Sequence, residues 1–147
     1  MIFPRLRQAL RFPLLMLPVL LVLGLASLPA EAAGEENFEN EPALTQADID
    51  GYILLTPSLL GETARDPDAA GRLLAEAGLS RRRAVYVAAK IAVTQAMAVG
   101  ALSPDQLDRE RVPVYLRPSA EELRLVQQNL TSLTQAQIKA RRAAAGQ

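Results

Sequence analysis

Lys90 is the only lysine ahead of the C-terminal tail, and it falls within Ala84 to Val99, the most apolar helical stretch after the first 32 residues. Deprived of water there, a lysine amine becomes available as a base or a nucleophile. The commoner arrangement lays the aliphatic stem along apolar surface and delivers the ammonium to solvent, and that is the expectation here. Arg81, Arg82 and Arg83 form the second cluster. Three cations in the first turn of a helix oppose the positive end of its dipole and need compensation. Internal pairing with Glu76, or with Asp66 and Asp68, is the leading expectation. An anionic ligand or partner, such as a lipid headgroup or a cell-wall polymer, is the alternative.

The carboxylates offer less. Asp48-Ile49-Asp50-Gly51 begins like a calcium loop, but Tyr52, Ile53, Leu54 and Leu55 stand where further oxygen ligands would be required. Asp105 and Asp108 share a helix face beside Arg109 and Arg111. The chain has no histidine and no cysteine, which removes the usual general base, the thiolate nucleophile and the ligands that zinc or copper prefer. No metal or cofactor site is expected. Ser80, Ser103 and Ser119 stand where helices begin and Ser58 follows Pro57, so capping explains the serines before nucleophilic catalysis does.

The elements that carry these groups read as helical. Thr45 and Asp48 have capping-box spacing, and Ile49, Tyr52, Ile53, Leu55, Leu59 and Leu60 follow at helical intervals. Pro57 inside that run predicts a kink, or two short helices meeting at Thr56. Asp66-Pro67 opens a second helix that Gly78 stops. The third, about residues 81–99 after Ser80, is apolar on nearly every face, which predicts that other helices surround it. Ser103-Pro104-Asp105 opens a short turn, and the prolines of Val112 to Pro118 predict an extended link. Ser119 and Glu122 then open a last helix marked by Leu123, Val126, Leu130 and Leu133, a stripe that serves either as core against residues 84–99 or as the face of a homo-oligomer. Its tail, Ala136 to Gln147 with Lys139, Arg141 and Arg142, is expected to fray. The sum is an all-α fold, an irregular bundle of four or five helices around a central apolar helix.

Residues 1–32 predict a signal peptide. Arg5, Arg7 and Arg11 precede an apolar run from Phe12 to Leu28, and Ala30 and Ala32 take the −3 and −1 places of a cleavage site. Retention as a membrane anchor is the competing reading; Pro13 and Pro18, which interrupt the run, weigh against it. Cleavage removes three of 16 basic and one of 16 acidic residues, leaving 13 and 15. That balance gives no electrostatic reason to expect nucleic acid. Roughly 115 residues remain, enough for one domain that needs no disulfide. An exported domain without cysteine suits a bacterial periplasm better than a eukaryotic secretory route. Residues 33–43, acidic and without periodicity, predict a disordered spacer ahead of a helical domain at 44–147, with an acidic arm that docks on a basic partner as the alternative.

Two resemblances follow from these residues. Leu133-Thr134-Gln135-Ala136-Gln137 is similar to the Leu-Thr-x-x-Gln signature of small periplasmic helical proteins of the Spy and CpxP kind, and Leu44-Thr45-Gln46-Ala47-Asp48 is a near copy. The resemblance implies helical hairpins that dimerise into cradles and hold unfolded or envelope-stress partners. The chain also resembles small exported helical proteins of proteobacteria, through Ala47 to Tyr52 with Pro57 and through Gly78-Leu79-Ser80 running into Tyr86 to Ile91. The expectation is a non-enzymatic periplasmic protein that meets an envelope protein or an anionic envelope component and touches the membrane only through an uncleaved leader. A chaperone-like stress adaptor and an enzyme built on Lys90 or a carboxylate are the alternatives.

Overall fold

Helix starts follow local side-chain chemistry closely. The computed structural model describes residues 38–62 and 66–146; the leader, Ala30 and Ala32 of its cleavage site, and the spacer before Phe38 lie outside the described residues. Six α-helices and one 3₁₀ turn occupy the described chain, with no strand among them: α1 (Gln46–Glu62), α2 (Pro67–Glu76), α3 (Arg81–Ala98), α4 (Pro104–Arg109), η1 (Val114–Leu116), α5 (Ala120–Gln128) and α6 (Leu130–Ala144). Thr45 and Asp48 exchange the two bonds of a capping box, Thr45 N–H donating to Asp48 Oδ2 at 2.9 Å and Asp48 N–H to Thr45 Oγ1 at 3.3 Å. Asp66, Ser80, Ser103 and Ser119 cap α2 to α5 through their side-chain oxygens. Ser58 caps nothing: it lies inside α1, which runs unbroken through Pro57 rather than as two short helices. Packing on neighbouring helices offsets the one backbone bond that proline forfeits.

Helix ends share one device. After α2, α3 and α4 the chain turns through a left-handed residue, Gly78 (φ 69°), Gly100 (φ 73°) and Arg111 (φ 53°). In each, the next residue's N–H reaches back to the carbonyl five places earlier: Leu79 to Leu74, Ala101 to Ala96, Val112 to Leu107. Arg111 does this with a side chain where the other two are glycine.

α3 lies at the centre, meeting α1, α2, η1 and α5, and buries Tyr86, Val87, Ala88, Lys90, Ile91 and Thr94. The most extensive helix contact is nevertheless between α1 and α6. They run in the same direction: Gln46 and Asn129 exchange amide hydrogen bonds at one end, and Gln137 donates to the Tyr52 hydroxyl further along. The core joins Ile49, Tyr52, Leu55 and Leu59 of α1 to Leu74 of α2, Val87 and Ile91 of α3, Val126 of α5 and Leu133 of α6.

Four expectations change. The last helix divides at Asn129, whose side-chain amide donates to the Leu125 carbonyl while its backbone N–H donates to the Val126 carbonyl, three residues back. The tail does not fray, because Ala136 and Ala140 are buried and α6 continues to Ala144. The link at 112–118 is not wholly extended; Pro113 starts a single 3₁₀ turn, held by Arg117 N–H to the Val114 carbonyl. The described part of the spacer, 38–43, is packed rather than loose, with Phe38 buried against Tyr86 and Tyr115. One aromatic side chain is enough to dock a polar segment when a groove receives it.

Candidate functional site

The helical period places Arg83, Tyr86 and Lys90 on one face of α3, three and then four residues apart. That face looks onto residues 38–45, η1 and the start of α5. Ser80 sets the register by accepting a hydrogen bond from Arg83 N–H.

Lys90 is 4% exposed and does not extend to solvent, correcting the expectation from its sequence context. Its Nζ lies 3.3 Å from Glu122 Oε1, donates to the Tyr115 carbonyl at 2.9 Å, and stands 5.7 Å from the centre of the Tyr86 ring. The stem is too deep in the bundle for the ammonium to escape, so the charge is met where it sits. Glu122 is 5% exposed, and both of its carboxylate oxygens are engaged. Its Oε1 accepts Ser119 N–H, completing the α5 capping box, and its Oε2 accepts Leu44 N–H from across the groove. Burial alone would raise the Glu122 pKa; the two amide donors and the Lys90 ammonium more than offset it, holding the carboxyl below its ordinary range.

Arg83 closes the other side. Its guanidinium donates to both oxygens of Asp48 at 3.2 and 2.6 Å, to Glu41 at 3.3 Å, and to the carbonyls of Pro42 and Ala43 at 2.7 and 3.1 Å. Arg82 pairs with Glu41 at 3.0 Å and lies over the Phe38 ring. Burial would raise the Asp48 pKa, but the bonds from Arg83 and Thr45 prevail and hold it low; the same acids hold Arg83 high against burial. Arg81 occupies the first turn of the same helix, half-buried. For Arg82 and Arg83 the compensation comes from Glu41 and Asp48. Asp66 instead caps α2 and pairs with Arg72.

The remaining candidates stay apart. Asp50 accepts from Gln46, and Asp108 pairs with Arg117 at 2.7 Å, so neither joins a constellation. No group of three acidic residues able to hold a metal ion occurs among the described residues. A small, mostly apolar cleft between α1, α2 and α3, lined by Asp48, Tyr52, Leu55, Thr56, Leu74 and Val87 among others, has a volume of about 30 Å³, room for water rather than a substrate. The Leu123–Leu133 stripe is divided: α5 packs on α3 and α6 on α1, with Val126 and Leu133 fully buried and Leu123 and Leu130 half-buried.

Phe38, Glu41, Tyr86 and Tyr115 were not singled out by type or spacing, and Glu122 was visible only as a cap. The signal that existed was Phe38, a lone aromatic in an acidic run. Among family models, curated proteins and solved structures, none matches the chain. In this fold the two Leu-Thr-x-x-Gln-like segments both serve packing. Leu44 and Leu133 are buried, Thr45 and Asp48 form the α1 cap, and Gln137 joins Tyr52 to Gln95.

Proposed function

We propose that the chain is exported by its leader to the periplasm and acts there by contact with a protein or an anionic envelope component, not by catalysis. One observation carries this reading. All five buried polar side chains among the described residues, Asp48, Thr56, Lys90, Thr94 and Glu122, are hydrogen-bonded to other groups of the chain. A general acid or nucleophile needs at least one such group turned toward a space that a substrate can enter. What faces outward includes apolar side chains: Leu54 is 73% and Val114 78% exposed. Export rests on the pattern of residues 1–32.

Two measurements test the proposal. Fractionation with intact mass should find a periplasmic product beginning near Ala33; a full-length product confined to the cytosol overturns the compartment. Photo-crosslinkers at Leu54 and Val114 should give discrete adducts in the native envelope, retained when Lys90→Met and Glu122→Gln are combined. If a chromosomal deletion phenotype is complemented by the native chain but not by a folded Lys90→Met variant that still gives those adducts, the non-catalytic reading fails.

A further inference from the structure

Residues 38–45 have little structure of their own. Within the segment, Glu41 N–H donates to the Phe38 carbonyl at 3.0 Å and makes one turn. Its placement comes from side chains of α3, η1 and α5. The Phe38 ring lies 5.8 Å from Tyr86 and 5.9 Å from Tyr115, centre to centre, with the Arg82 guanidinium 5.3 Å away. The Glu41 carboxylate is shared by Arg82 and Arg83. The next two carbonyls, Pro42 and Ala43, accept from Arg83, and Leu44 N–H donates to Glu122. The groove thus reads an aromatic ring, a carboxylate three residues later, two carbonyls and then one N–H, all in order along a short stretch of chain.

Side chains that recognise main-chain groups and two anchors of an irregular segment describe a peptide-docking groove. We propose that this groove binds an acidic segment of a partner protein that makes the same turn, with an aromatic residue three places before a carboxylate, and that residues 38–44 are its resident occupant. The proposal rests on the reading that the protein acts by contact. Charge fixes the sign of the partner: two arginines face the carboxylate position, and the buried Glu122 faces an amide donor. The resident segment is tethered at Thr45, so its effective concentration is about millimolar or higher, and a partner gains access by displacing it.

The probe is a labelled ten-residue peptide of the chain's own residues Glu36 to Thr45. Titrated into the full chain carrying Phe38→Ala and Glu41→Gln, it should bind saturably and roughly tenfold or more tighter than to the native chain. The affinity should fall with salt, and a peptide altered at its phenylalanine and glutamate should not compete. The chain has no tryptophan, so Phe38→Trp in an otherwise native chain supplies a second readout that does not depend on the double variant folding. Its emission should shift to the red as the peptide displaces the segment. If neither the folded double variant binds nor the Phe38→Trp emission moves at about 1 mM peptide, the groove is only a structural seat and the proposal falls. Envelope adducts at Leu54 and Val114 that persist after that result leave the contact reading standing.

Discussion

Replacing Lys90 with methionine keeps the volume of the stem and deletes the ammonium, leaving Glu122 at 5% exposure with one partner fewer. Removing one member of a buried pair costs about 3–5 kcal/mol. Two backbone donors, Leu44 N–H and Ser119 N–H, still hold the carboxylate, which places the loss near the lower end, about 3 kcal/mol. The Tyr115 carbonyl also loses its donor, a change worth about 1 kcal/mol. Against a total of about 5–15 kcal/mol for a domain of this size, that is a large fraction. The assay is urea unfolding of four proteins: native, Lys90→Met, Glu122→Gln and the pair. Once residue 122 is uncharged, Lys90→Met should cost only about 1 kcal/mol, so the cycle returns a coupling of about 3 kcal/mol. A single Lys90→Met variant within about 0.5 kcal/mol of native would refute the reasoning, because an ammonium held in a closed pair cannot be removed so cheaply.

Asp48 and Glu122 both lie below their ordinary values, so their contribution to stability is complete above the unfolded range of about 4 and disappears as pH falls through the lower folded values. Urea midpoints should be level near neutrality and drop below about pH 4.5, and Glu122→Gln should flatten that slope. Arg83→Gln should destabilise by about 2–3 kcal/mol because it strips partners from Asp48 and two carbonyls, whereas the more exposed Arg82→Gln should cost less than about 1; equal effects would contradict the geometry. Gly78→Ala and Gly100→Ala have open space around the new methyl, so each should cost only the conformational penalty of about 1 kcal/mol. Arg111→Gly should raise the melting temperature by the same mechanism in reverse. Leu133→Ala, fully buried, should cost about 3 kcal/mol, and Leu123→Ala roughly half of that.

Capping residues were the most readable part of the fold. Thr45, Asp66, Ser80, Ser103 and Ser119 act within three residues of themselves, so the sequence contains both partners of each bond. The same holds for Gly78 and Gly100 as helix ends, and for the centrality of α3, whose composition leaves no polar face. Arg111 was unreadable because a left-handed arginine has no compositional mark. The break at Asn129 escaped the periodicity because α5 and α6 remain in near register across it, each with its own apolar side chains.

The polar site was legible only by halves. Lys90 and the arginines were conspicuous, but their partners lie far along the chain: Glu122 at 32 residues from Lys90, Glu41 at 42 from Arg83. Nothing local distinguishes Glu122 from any other capping glutamate. Its second oxygen found Leu44, 78 residues away, only when the helices assembled. Asp66, nearer in sequence, was a natural guess and instead caps α2 and pairs with Arg72.

The parallel pairing of α1 and α6 ties the opening of the domain to its close, with Gln46 and Asn129 separated by 83 residues. Such distant ends meet late, since the entropy of closing the intervening loop precedes any reward from contact. A polypeptide synthesised from its N-terminus therefore carries α1 with its apolar stripe uncovered until α6 has followed. Shortening α6 from its C-terminal side would strip cover from α1, far away in sequence.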